Sequence, residues 1–415
     1  MKTRLVVIAI LFALVGTAVL AGAAEKETVL YQFSRKANGY GPQGPEVMDA
    51  LGNIFGVASE GDLSGQCCGA IYELSPKSGG GYSYSTIYTF TGIGADNFPT
   101  GTLTMDAAGN LYGTTAGGYN EIYRLSPNGS GGWSESVLYV GSASGFEFSS
   151  VAVDAAGNVY SVAAIGGANN KGFVLELSPS GSTWTFQDIY DFDGVHGSGG
   201  NGAYLLGGLV VDAAGNVYGT MPQGGTSTAC SGGCGVAFRL RPDGDIWVQS
   251  VMVNFNGTNG SYPGGNLSID ASGNLYGTTQ LGGAKGFGTV FELTPTSSNT
   301  WRQHLLHAFT DANGDGAQPS APLTLGSGVI YGATTSGGGN TGCSTIYNAV
   351  GCGTVFKLTL SAGMWKESIL HAFTGLKDGA FPGGVIVDAN GNLFGEADSG
   401  GDADNDGVTF ELTAN

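Results

Sequence analysis

Two short segments carry oxygen donors at the alternation a calcium loop uses. Asp402-Ala403-Asp404-Asn405-Asp406-Gly407 sets three carboxylates on alternate residues, then a glycine for the sharp turn. Asp311-Ala312-Asn313-Gly314-Asp315-Gly316 repeats the pattern with an amide at its middle position. Calcium is therefore the expected cofactor, at Asp402, Asp404 and Asp406 first and at Asp311, Asn313 and Asp315 second. The alternative is a solvated acidic turn. No glutamate stands where an EF-hand supplies its bidentate ligand, although Glu411 is near. Asp315-Gly316 returns as Asp378-Gly379, so part of the second segment belongs to a recurring pattern.

The other reactive residue types give weaker patterns. Of six cysteines, Cys230 and Cys234 are close enough to pair locally, as are Cys343 and Cys352. Cys67 and Cys68 adjoin, and either form a strained vicinal bridge or stay free. No histidine neighbours these cysteines at metal-site spacing, which argues against zinc. His307 and His371 both sit in Leu-His-Ala-Phe, His304 lies three residues before His307, and His196 stands alone in a glycine-rich loop. No Ser-His-Asp or metal-histidine set is expected from them, and no catalytic residue is assigned.

These residues are carried by a repeat. The octet Asp-Ala-x-Gly-Asn-aliphatic-aromatic-Gly runs from Asp49 to Gly56 and from Asp106 to Gly113. It returns at Asp154, Asp212, Asp270 and Asp388, with a degenerate copy from Leu325 to Gly332. That makes seven copies, at a period of roughly 57 residues. Within the copy around Asp270, four strands are predicted: A over Gly265–Asp270, B over Asn274–Thr279, C over Thr289–Thr294 and D over Trp301–Phe309. Runs of β-branched and aromatic residues broken by Gly, Asn, Asp and Pro predict such hairpins. The repeated Asp therefore reads as a turn residue rather than half of a catalytic pair. Trp133, Trp184, Trp247, Trp301 and Trp365 all open strand D, where packing is expected before sugar stacking.

Four short antiparallel strands per copy predict an all-β, seven-bladed β-propeller. The ends sharpen this. Thr28–Phe33 looks like a strand D without its A, B and C, and Val408–Thr413 like a strand C without its D. The two should pair and close the ring, which removes an open sheet edge. Gly207-Gly208, Gly264-Gly265 and Gly383-Gly384 open strand A, where the blades crowd at the axis and a side chain would not fit.

Residues 1–24 read as a secretory signal peptide: Lys2 and Arg4, an apolar run from Leu5 to Leu20, then small residues before Glu25. The propeller should span residues 25–415, secreted or periplasmic, with disulfides at Cys230–Cys234 and Cys343–Cys352. The formal charge of −18 disfavours nucleic acid and anionic membrane surfaces as partners. No membrane insertion is expected after signal cleavage, and a monomer is expected.

Leu275-Tyr276, Gly282-Gly283, Val290-Phe291 and Trp301 resemble a kelch repeat, at a longer period. The chain is more similar to the GloVer tandem-repeat family of exported bacterial proteins. The residues that carry this are Gly208 to Asp212, Gly273 to Thr279, Gly288 to Phe291 and Gly353 to Phe356. The resemblance implies export and tandem repeats, and no established activity or catalytic residues. All six cysteines and both acidic motifs fall in B–C or D–A loops, which share one propeller face. The expected function is an exported binding module using that face, with a surface glycan or another exported protein as partner. The alternatives are an extracellular enzyme on polysaccharide, a hydrolase or lyase with Asp96, Asp191, Asp193, Asp311 and Asp378 around a pocket, and a structural repeat protein without a ligand.

Overall fold

A computed structural model describes residues 25–35, 39–61, 68–91, 98–117, 120–141, 148–192, 207–297, 300–343 and 350–413. The signal-peptide reading of residues 1–24 and the state of Cys67 lie outside the described residues, as do Asp96, Asp193 and His196. Every element described is a β-strand.

The strands form seven antiparallel meanders, each ordered A-B-C-D, around a ring. Blade one is Tyr40–Met48, Ile54–Glu60, Ala70–Pro76 and Tyr82–Thr89. Blades two, three and four begin at Phe98, Phe148 and Val210. Blade five has strand B Leu275–Leu281, C Thr289–Pro295 and D Trp301–Ala308. Blade six has A Thr324–Gly326, B Val329–Thr334, C Thr354–Ser361 and D Met364–Ala372. Blade seven takes A, B and C from Ala380–Val387, Leu393–Ser399 and Val408–Thr413, and D from Lys26–Gln32. The register runs Lys26 with Thr413 to Gln32 with Val408, so the N-terminal strand closes the ring as expected.

Strand A of blade five differs from the prediction. It is interrupted, with Ser261–Pro263 and Ser268–Ile269 pairing separately to strand B. Pro263 has no N–H for the ladder, and Gly265 lies where the next blade passes close by. A Cβ on Gly265 would stand 2.8 Å from the Ala321 carbonyl oxygen, which is why the axis needs glycine there.

The core lies between blades. A phenylalanine just after strand D packs edge-on or tilted against the strand C aromatic of the next blade. The pairs Phe192–Phe238, Phe255–Phe291, Phe309–Phe356 and Phe373–Phe410 have ring centroids 5.2–5.3 Å apart. The strand B glycine of the octet makes room for that ring, since a Cβ on Gly277 would meet Phe291 at 2.7 Å. Blade three breaks all three positions together: Ser161 replaces the glycine, Leu175 the strand C aromatic and Gly141 the incoming phenylalanine. There Phe148 and Phe173, both buried, fill the interface.

Candidate functional site

The repeated turns are self-contained. Asp270 accepts from the Ser272 and Asn274 N–H groups at 2.8 and 2.9 Å through Oδ1. Its Oδ2 accepts from Asn274 Nδ2 at 2.9 Å and the Tyr276 hydroxyl at 3.3 Å. Asp106, Asp154 and Asp212 repeat the set, and Asp49 and Asp388 all but the tyrosine. These carboxylates are spent on the turn, as the sequence pattern implied. The tryptophans pack across blade boundaries: Trp133 on Phe55, Trp247 on Tyr160, Trp301 on Tyr218, and Trp184 under the Arg124 guanidinium.

The irregular residues gather on the face of the B–C and D–A loops. Cys230–Cys234 and Cys343–Cys352 are disulfides within the B–C loops of blades four and six, and Cys68 is disulfide-bonded too. Both loops support the axis. Tyr262, Gln318 and Phe381, each followed by proline, hold φ of +54°, +59° and +59°, a conformation that costs free energy in non-glycine residues. Their N–H groups donate to the carbonyls of Cys234 at 3.0 Å, Phe287 at 2.8 Å and Cys352 at 2.8 Å in the preceding blade's B–C loop. Two of the three strained positions therefore rest on a disulfide cysteine.

One of them, Phe381, lines an axial cavity of about 610 Å³. Its polar lining comes from Gln43 of blade one, Gln280 of blade five, Ser320 before blade six, and Glu396 and Asp398 of blade seven. Glu396 is buried, with its carboxyl against the Gly383 backbone. Burial, followed by the nearby Glu46 carboxyl, holds it well above the ordinary carboxylate range. Asp398 is raised by burial as well. Glu46 lies behind, accepting the Tyr72 hydroxyl at 3.0 Å, and burial lifts it to about 8 against that bond. No sequence motif marks Glu396: the other octets are followed by Val57, Thr114, Val162, Thr220, Thr278 and Ala333, and the glutamate shows only as the one charged residue at that position. Of the expected ring, the described Asp191, Asp311 and Asp378 are not among the residues lining this cavity. Asp191 and Asp311 accept loop N–H groups of Ala168 at 2.7 Å and Val350 at 3.1 Å. Asp378 accepts the Thr374 N–H at 2.9 Å.

The expected calcium residues Asp402, Asp404 and Asp406 do converge, with ligand oxygens within 4.8 Å of one another. Asp406, fully buried, is held by Arg35. The Arg35 N–H donates to Oδ2 at 2.7 Å, and Nε and Nη2 donate to Oδ1 at 2.8 and 2.6 Å. Arg35 Nη2 also donates to the Asp404 carbonyl at 2.6 Å. In the second set, Asp311 accepts the Val350 N–H at 3.1 Å, and Asp315 accepts the Thr310 N–H at 2.8 Å and hydroxyl at 2.6 Å. Asn313 takes a left-handed turn conformation at φ +57°. Asp315 instead meets His307 and Glu367, a grouping that sequence spacing could not reveal because Glu367 comes from the next blade.

The fold has solved counterparts at low identity. A gluconolactonase from Xanthomonas campestris is 14% identical, with 76% of this chain and 88% of that one covered at a TM-score of 0.41. A glucose dehydrogenase is 12% identical, covering 94% and 100% at 0.42. A triple-alanine variant of AofleA from Arthrobotrys oligospora is 13% identical, covering 85% and 90% at 0.46. No curated protein matches the sequence. The family model for the Gloeobacter/Verrucomicrobia repeat matches residues 117–347, more than half of the chain. The chain, with its seven octets and interblade aromatic pairs, belongs to the Gloeobacter/Verrucomicrobia repeat family.

Proposed function

We propose that the chain is an exported binding module whose axial cavity takes a neutral, polyhydroxylated ligand of the glycan class. The observation that carries this reading is the cavity on the B–C and D–A face, lined by Gln43, Gln280, Ser320 and a buried Glu396. Amides and hydroxyls both donate and accept, which suits hydroxyl groups. A carboxyl kept protonated by burial adds a donor without adding a buried charge. Ligand pockets are largely preformed, and Phe381, anchored by its N–H to the Cys352 carbonyl of the preceding blade, contributes a fixed part of this lining. Two disulfides accord with an oxidising compartment outside the cytoplasm.

The second reading is an extracellular hydrolase or lyase on polysaccharide. It draws on the same Glu396, because a carboxyl held protonated at neutral pH is what a general acid requires. A glycan array with the mature protein tests the first reading. Gln280→Ala should weaken any retained glycan by about tenfold, the order expected for losing one good hydrogen bond. Turnover of the retained glycan that stops in Glu396→Gln would establish the second reading instead. No retained glycan at all, with the protein folded by circular dichroism, would sink both.

A further inference from the structure

At the boundary of blades five and six, three polar side chains converge from three separate segments. His307 is on strand D of blade five, Asp315 on the crossing loop, and Glu367 on strand D of blade six. His307 Nε2 stands 3.6 Å from Asp315 Oδ1 and 3.5 Å from Glu367 Oε2. The side chains are 20%, 12% and 14% exposed. His307 Nε2 is thus within ion-pair range of both carboxylates, with His307 Nε2, Asp315 Oδ1 and Glu367 Oε1 all buried. One imidazole shared between two largely buried carboxylates at these lengths leaves the two acidic groups facing each other, an arrangement that a cation between the three donors would relieve.

The neighbouring interfaces show what a merely structural solution looks like. One blade earlier the same positions carry Val253, Asn259 and Gln303. There Asn259 Nδ2 donates to Gln303 Oε1 at 2.7 Å, and Gln303 Nε2 donates to the Asn259 carbonyl at 3.0 Å. The amides satisfy one another. One blade later the positions carry His371, Asp378 and Glu27, and His371 Nε2 closes on Asp378 Oδ2 at 3.3 Å. Of these three boundaries, the one at His307 brings an imidazole and two carboxylates to within 4.8 Å of one another, at lengths longer than the His371–Asp378 contact.

We propose that His307, Asp315 and Glu367 bind a divalent transition-metal ion, with zinc as the best match, between blades five and six. An imidazole and two carboxylates form a nitrogen-and-oxygen set that zinc accepts, leaving a fourth position for water. Donors about 2.0–2.1 Å from a tetrahedral ion lie about 3.3–3.4 Å from one another, close to the separations found. Asp315 is pre-aimed, since its other oxygen is fixed by the Thr310 N–H and hydroxyl. Two carboxylates around one ion balance its charge, which removes the repulsion between Asp315 and Glu367. The site is independent of the axial cavity and of the Asp402–Asp406 loop.

The test is calorimetric titration of chelator-stripped mature protein with zinc chloride, alongside cobalt chloride followed by visible absorption. Wild type should bind zinc and give the intense visible bands of low-coordinate cobalt. Glu367→Gln and His307→Gln should each weaken binding by at least about tenfold and lose those bands. His371→Gln, at the sister position, should leave this binding in place. Circular dichroism and thermal unfolding of each variant separate lost binding from lost fold. Absence of binding in wild type overturns the proposal. So does zinc binding that survives in both folded variants, because the ion is then held elsewhere.

Discussion

At the scale of single residues, the same side chain means different things according to what it can reach. Asp270 and its repeats are legible in sequence because their partners lie two, four and six residues away. Asp406 is not, because its partner is Arg35, 371 residues distant and on the far side of the ring closure. The alternation Asp402, Asp404, Asp406 predicts calcium, and the carboxylate such an ion would most need is the one the guanidinium holds. A cation and a guanidinium then compete for Asp406. Removing the arginine should leave a buried carboxylate in search of a positive charge. Thermal unfolding with calcium and with chelator measures this, in wild type and in Arg35→Ala. The expected outcome is a lower melting temperature for Arg35→Ala in chelator, together with a larger calcium-dependent rise than in wild type. Equal calcium shifts in the two proteins would rule out competition at Asp406.

At the scale of strands and blades, the repeat was readable because each position answers a packing need. The octet glycine is there for the strand C ring, and the phenylalanine after strand D is there for the same ring from the other side. Phe373 is fully buried and sits 5.2 Å from Phe410, centroid to centroid. Phe373→Ala should therefore destabilise by about 3–5 kcal/mol, the range for emptying an aromatic site in a packed core. Val137, on strand D of blade two and 44% exposed, should tolerate alanine within about 0.5 kcal/mol. Chemical denaturation of both variants checks the contrast, and similar losses would mean that blades are not held by these pairs. The same logic explains what remained hidden. Propeller packing joins residues one or two repeats apart, so His307 with Glu367 across one blade boundary, and Gln280 with Glu396 around the axial cavity, are brought together by curvature of the ring. Local periodicity identifies the blade and is silent about its neighbour. The face proposed for binding was legible because cysteines and acidic runs depart from the repeat there. The axial cavity was not, because Glu396 is a single departure inside an otherwise regular strand.

At the scale of the whole molecule, the ring is one closed sheet sequence with a seam, and the seam is where charge has been buried. Blade seven meets blade one through Phe33, Ile54, Tyr72, Leu74 and Phe394, with Tyr31 stacked on Tyr84 at 3.8 Å. Inside this apolar contact lie Glu46 on blade one and Glu396 on blade seven, both buried. Burial raises Glu46 from 4.5 to about 8, opposed by the Tyr72 hydroxyl, and raises Glu396 further in the same direction. The folded chain therefore holds protons that the unfolded chain has released. Stability from Glu46 is fully present below about pH 4.5, the unfolded value, and is lost as pH rises toward and through about 8. The slope from this one group approaches about 1.4 kcal/mol per pH unit inside that window. Asp106, Asp270, Asp315 and Asp378 have lowered values, and their contribution is lost only on the acid side, below the window. The expected result is a melting temperature that falls between pH 5 and pH 8, with Glu46→Gln flattening the fall because an amide has no proton to lose. Denaturant titrations across the same range convert the shift to free energy. An unchanged slope in Glu46→Gln would place the pH dependence away from the seam. A flattened slope would mean that the contact closing the ring is also the one that loosens in alkali, since ionising Glu46 sets a charge between the first blade and the last.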